Sequence, residues 1–129
     1  MKQEPRINPT PSELEILHIL WTRGPSTVRE IHEVLAKEKD VGYTSALKLL
    51  QIMTGKGLVT RTEEQRAHVY SAMQPAETTK QQFAADVLQR VFRGSASQLM
   101  QHVLSGRRGS RKEIEEIRRM LDEHERKLP

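Results

Sequence analysis

YTSALKLLQIMTGKGLV, residues 43–59, is the stretch on which the architecture of this chain turns. Ala46, Leu49, Leu50 and Met53 recur at i, i+3, i+4 and i+7, which places them on one face of a helix running from Tyr43 to about Thr54. The Gly55-Lys56-Gly57 run ends it. The opposite face carries Tyr43, Thr44, Ser45, Lys48 and Gln51, a set of hydroxyls, one cation and one amide. A helix that is merely solvated more often carries Glu and Lys pairs. No acidic side chain occurs between Val41 and Arg61, although acids are frequent on the other expected helices. Leu47 and Ile52 fall off the stripe, where they either touch a thymine methyl or backbone sugar or pack against the following segment, packing being the expectation for Ile52.

Moving toward the N-terminus, Thr27 and Glu30 have the capping-box spacing, and Val28, Ile31 and Leu35 give a short amphipathic helix ending near Lys37. Gly42 punctuates the turn that follows. Further back, Thr10-Pro11-Ser12-Glu13 is a second capping box with Pro in the first turn, so a helix is expected from Pro11 to about Thr22. Leu14, Leu17, Leu20 and Trp21 form its apolar stripe, and Gly24-Pro25 stops it.

On the C-terminal side, residues 58–62 and 68–72 are β-prone runs separated by the polar residues 63–67, and they read as a hairpin. Pro75 marks a boundary. Beyond it three helices are expected, near residues 77–93, 96–105 and 111–127, with Ser95/Gln98 and Ser110/Glu113 starting the last two. Their stripes are Phe83, Val87, Leu88 and Val91; Leu99, Met100, Val103 and Leu104; and Ile114, Ile117, Leu121 and Leu128. None of these helices hides its stripe alone, so packing across a dimer is the economical arrangement. The fold expected is mainly α (α+β): a winged helix-turn-helix domain over 1–75, then a three-helix dimerisation region over 76–129.

Three helices followed by a hairpin place the third helix where it can enter a major groove, with the hairpin beside the phosphates. Duplex DNA is therefore the expected partner, met by Tyr43, Thr44, Ser45, Lys48 and Gln51 on the helix and by Arg61, Arg66 and His68 on the wing. Glu63 and Glu64 near the wing tip oppose that contact. The net charge of +4, from 21 basic and 17 acidic residues, favours an anionic partner without naming one. Aromatic residues make up 4%, too few for the stacking platforms of single-strand and RNA binders.

The absence of cysteine excludes disulfides, thiolate metal sites and cysteine nucleophiles, and it suits a cytoplasmic chain. The apolar runs are far shorter than the ~20 residues a membrane helix needs, and no signal-peptide pattern opens the sequence, so no membrane insertion is expected. His18, His32, His68, His102 and His124 are dispersed and make no metal-ligand motif. No phosphate loop, nucleophile elbow or catalytic carboxylate pair can be assembled, so neither an enzyme nor a cofactor or metal is expected. The basic run Arg107-Arg108-Gly109-Ser110-Arg111-Lys112 reads as a mobile, solvated connection.

The order and spacing of these segments, TPSELEIL from Thr10, Leu20-Trp21, VREI from Val28, the 43–59 stretch and RAHVY from Arg66, resemble the BlaI/MecI penicillinase-repressor family, to which the copper-responsive CopY proteins are related. The likeness is close over residues 8 to about 75 and looser in the helical tail. It implies a homodimer on a palindromic operator, with Tyr43, Thr44, Ser45 and Lys48 at the start of the recognition helix, and repression of transcription. It also implies release by a membrane-bound sensor metalloprotease that cleaves an Asn-Phe bond in the helix before the last. By register against Gly94 and Ile114 that bond falls at His102-Val103, where the Asn-Phe pair is absent. The copper-binding cysteine pairs of the CopY branch are missing too. The alternative is a winged-helix protein-interaction or scaffold module that does not regulate transcription directly.

Overall fold

The computed structural model describes residues 8–64, 66–106 and 109–129. The first seven residues of the expected N-terminal domain, Gln65 of the hairpin, and Arg107 and Arg108 of the basic run lie outside the described residues.

Two hydroxyls set the N-terminal frame. Thr10 accepts from the Glu13 amide while the Glu13 carboxylate accepts from the Thr10 amide, and this reciprocal box starts α1, Pro11–Arg23. Thr27 and Glu30 do the same for α2, Val28–Ala36. Between them Ser26–Thr27 forms a two-residue strand, β1, that the sequence did not announce. Next come α3 (Tyr43–Lys56), β2 (Val59–Glu64) and β3 (Ala67–Ala72). The sheet is antiparallel in the order β1-β3-β2, with Ser26 opposite Tyr70 and the hairpin in register from Val59↔Ala72 to Glu64↔Ala67.

The hairpin is longer than expected. Glu63, Glu64 and Ala67, read as loop from the polarity of their segment, are strand residues: β2 runs to Glu64 and β3 begins at Ala67. From Thr60 to Glu64 every residue of β2 is exposed, and a strand facing water is built from polar side chains as readily as a loop is.

Apolar burial follows the helical stripes. Ile16, Leu17, Ile19 and Leu20 of α1 meet Val28, Ile31 and Leu35 of α2, Ala46, Leu50 and Met53 of α3, and Val59 and Tyr70 of the sheet. The α1 stripe is shifted from the expected one: Ile16 and Ile19 are buried, while Leu14 and Trp21 only flank the core. Trp21 has a polar task as well, since its indole N–H donates to the Gln74 carbonyl at 3.0 Å.

The chain divides into two compact units, one ending at Ala84 and one spanning Ala85–Pro129. Three further helices follow the sheet: α4 (Ala76–Arg90), α5 (Ala96–Ser105) and α6 (Arg111–Arg126). The α4 helix stops short of residue 93 because Arg93 and Gly94 take positive φ values of 52° and 86°, which turns the chain. Ser95 and Ser110 cap α5 and α6 by accepting from the Gln98 and Glu113 amides. Arg111 and Lys112 belong to the first turn of α6 and not to the connection. No residue of α4, α5 or α6 is buried. No helix among the described residues is long and apolar enough to cross a membrane.

Candidate nucleic-acid interface

The α3 helix begins differently from its neighbours. Its N-cap is Gly42, which has no side chain to offer, and its first turn has no acid. By contrast α1, α2, α5 and α6 all start at a hydroxyl that accepts from an amide of the first turn. The free N–H groups and positive dipole end of α3 are thus open to an anion from outside.

Along its length α3 splits as the spacing requires. Ala46, Leu50 and Met53 are fully enclosed, whereas Tyr43, Thr44, Ser45, Lys48 and Gln51 are exposed, Tyr43 by 49%. Leu47 is half-buried against the core. Ile52 is 43% exposed and does not pack away. At about 100° per residue it projects near Lys48 and Ser45, well off the buried stripe. It adds an apolar patch to the outward face.

The hairpin and the starts of α2 and α3 converge on one groove. Thr27, Val28, Arg29, Tyr43, Leu47, Arg66, Ala67 and His68 line a cavity of about 460 Å³. Three of the residues singled out from sequence, Tyr43, Arg66 and His68, meet there; Thr44, Ser45, Lys48 and Gln51 lie on the exposed face of α3 and are not part of its lining. Arg29 was not anticipated. Its guanidinium lies 3.7 Å from the Glu33 carboxylate, both side chains being exposed, a pair of little strength. Its signal in the sequence was a cation in the first turn of the helix before α3.

The acids near the wing tip are placed by the register: Glu63 faces His68 across the strands and Glu64 faces Ala67. Arg66, with φ 66°, occupies the turn itself.

Two contacts hold α3 at its ends. At its start, His32 Nε2 lies 2.7 Å from the Val41 carbonyl oxygen, and the same ring meets Tyr43 edge-on at 5.9 Å and 77°. At its end, the Lys56 ammonium donates to both Glu13 carboxylate oxygens at 2.9 and 3.0 Å. Burial pushes the Glu13 carboxyl up, but the Thr10 amide, the Lys56 ammonium and its charge, and the Thr10 hydroxyl together hold it below the ordinary value of 4.5.

Of the residues expected to pair two chains, Phe83 lies in the first unit and is half-buried, as are Val87, Leu88, Leu99 and Ile117 of the second. Val91, Val103, Leu104, Ile114 and Leu121 are exposed, from 41% at Val103 and Ile114 to 65% at Val91. His102 and Val103, the pair expected at a cleavage position, lie inside α5, with the His102 ring tilted against Phe92 at 5.7 Å.

A family model described as Penicillinase repressor matches residues 9–123. The transcriptional regulator BlaI of Mycobacterium tuberculosis is 31% identical over 115 residues, covering 88% of this chain and 82% of that protein. The methicillin resistance regulatory protein MecI of Staphylococcus aureus is 22% identical over 86% of this chain and 90% of its own length. The penicillinase repressor of Staphylococcus aureus is 22% identical over 90% of this chain and 92% of its own length. With a family match that runs from α1 into α6 and a relative above 30% identity, the chain belongs to the penicillinase repressor family of transcriptional regulators.

Proposed function

We propose that the chain represses transcription as a homodimer on a two-fold symmetric operator, with α3 in the major groove and the β2–β3 hairpin along the phosphates. The observation that carries this reading is the outward face of α3. It has no acid and no side-chain cap at its N-terminus, and its first residue shares a groove with Arg66 and His68 of the wing. Tyr43, Thr44, Ser45, Lys48 and Gln51 supply base-edge and phosphate contacts, Ile52 meets thymine methyls, and Arg29, Arg66 and His68 meet phosphates.

Pairing of two chains is supported by α4–α6, whose apolar stripes include no buried residue and leave Val91, Val103, Leu104, Ile114 and Leu121 exposed in a single chain. The setting is the cytoplasm, where duplex DNA is accessible. Release by a membrane-bound sensor metalloprotease fits the same scheme. His102 and Val103 are exposed, and cutting between them would detach α6 from the DNA-reading unit.

Selection of duplexes from a random pool by the purified chain tests the proposal. The expected product carries two inverted half-sites about one helical turn, or a multiple, apart. In a gel shift at physiological salt, scrambled duplex should compete at least a thousandfold less well than the selected one. Lys48→Ala should weaken binding about tenfold and lower the salt slope by ~1. Equal competition by the scrambled duplex would overturn operator reading and favour a scaffold role.

A further inference from the structure

The turn from α2 into α3 is held by a side chain to which no function has been attached. His32 sits half-buried on α2, nine residues before Val41, and its Nε2 approaches the Val41 carbonyl oxygen at 2.7 Å. A carbonyl oxygen only accepts, so Nε2 carries the proton. That carbonyl belongs to the peptide unit leading into Gly42, and fixing it fixes the plane from which α3 sets out. The same imidazole ring stands nearly perpendicular to Tyr43, the first residue of α3. Tyr43 in turn lines the groove shared with Arg66 and His68.

The uncapped start of α3 gives this contact its importance. A helix end usually owes its definition to an N-cap side chain, and without one the first turn frays. Gly42 supplies none. His32 reaches in from the preceding helix and restrains both the backbone before the cap and the ring after it. A Tyr half exposed to water would otherwise sample several rotamers, and each would have to be frozen out when DNA binds.

We infer that His32 is a positioning residue for operator reading, which sets the start of α3 through the Val41 carbonyl and holds the Tyr43 ring in its DNA-facing rotamer. The inference rests on the proposed role of α3 as the operator-reading helix.

The test is a double-mutant cycle on the full-length chain, with anisotropy of a labelled duplex, selected as above, as the readout and thermal unfolding as a parallel measurement. Tyr43→Ala and Lys48→Ala come first. If neither changes affinity, the reading of α3 itself fails, separately from the inference about His32. With that established, His32→Ala is expected to weaken specific binding about three- to tenfold. The loss should shrink to less than half of that factor in a Tyr43→Ala background, because the ring it positions is gone. General loosening of the fold would give the same loss in both backgrounds, and that additive result overturns the inference. His32→Gln, which keeps an N–H for Val41, and His32→Phe, which keeps a ring for Tyr43, should each retain part of the affinity. If both folded variants bind as poorly as His32→Ala, or if all three bind like the unaltered chain, the inference is overturned. If His32→Ala does not fold, the cycle is read with His32→Gln and His32→Phe, and additivity with Tyr43→Ala has the same consequence.

Discussion

Glu13 is the one charged side chain enclosed by the described core, 1% exposed. It starts as a local device, closing the capping box of α1 with Thr10, and this half was legible because Thr10 and Glu13 lie three residues apart. Its second partner, Lys56, is 43 residues away, and no local pattern connects an acid in one helix start to a cation at another helix end. The position of His32 beside Val41 and Tyr43 was hidden for the same reason. Removing Lys56 leaves a buried carboxylate with only the Thr10 groups. Lys56→Met should therefore cost about 2–3 kcal/mol in urea unfolding, at the low end because the Lys56 side chain is 30% exposed. Because folding lowers the Glu13 pKa below 4.5, its contribution is fully present above pH 4.5 and is lost as pH falls toward the folded-state value. Glu13→Gln should flatten the fall in stability below pH 4.5; an unchanged acid limb would show that other carboxylates set it.

At the scale of elements, the parts with local signals were read well. The capped starts of α1, α2, α5 and α6 and the buried stripe of α3 appear where spacing put them. What escaped was decided across the chain. Ser26 and Thr27 have no β-prone run around them and become a strand only by pairing with Tyr70 and Val69. Glu63 and Glu64 look like loop residues until His68 and Ala67 face them. Ile52 was expected to pack, yet its helical angle joins it to the outward face of α3. The hairpin turn then poses a conflict between stability and contact. Arg66 holds a left-handed φ of 66°, which costs a non-glycine residue on the order of 1 kcal/mol. Arg66→Gly should therefore raise unfolding stability by up to ~1 kcal/mol, while duplex affinity falls and its salt slope drops by ~1 through loss of the cation. If affinity stays constant in a salt titration of this variant, the wing tip takes no part in binding.

The whole molecule combines a well-enclosed N-terminal core with three helices that bury no residue fully. The apolar periodicity of α4–α6 was visible in the sequence. What it packs against was not, because a stripe looks the same whether its cover is the same chain or another. Placing Glu at both Ile117 and Leu121 should convert a dimer to a monomer in sedimentation velocity. It should also weaken binding to the symmetric duplex by at least a hundredfold, since two tethered half-site contacts become independent. A dimer that survives both changes would assign pairing to another surface. Pairing through the half-exposed stripes, as proposed, would also affect control at the level of the cell. Where pairing completes the C-terminal unit, the competent species scales with the square of chain abundance at low expression. Gene dosage then sets a threshold: halving the number of chains removes about three quarters of the operator-competent dimers, so repression can switch sharply with no small-molecule signal.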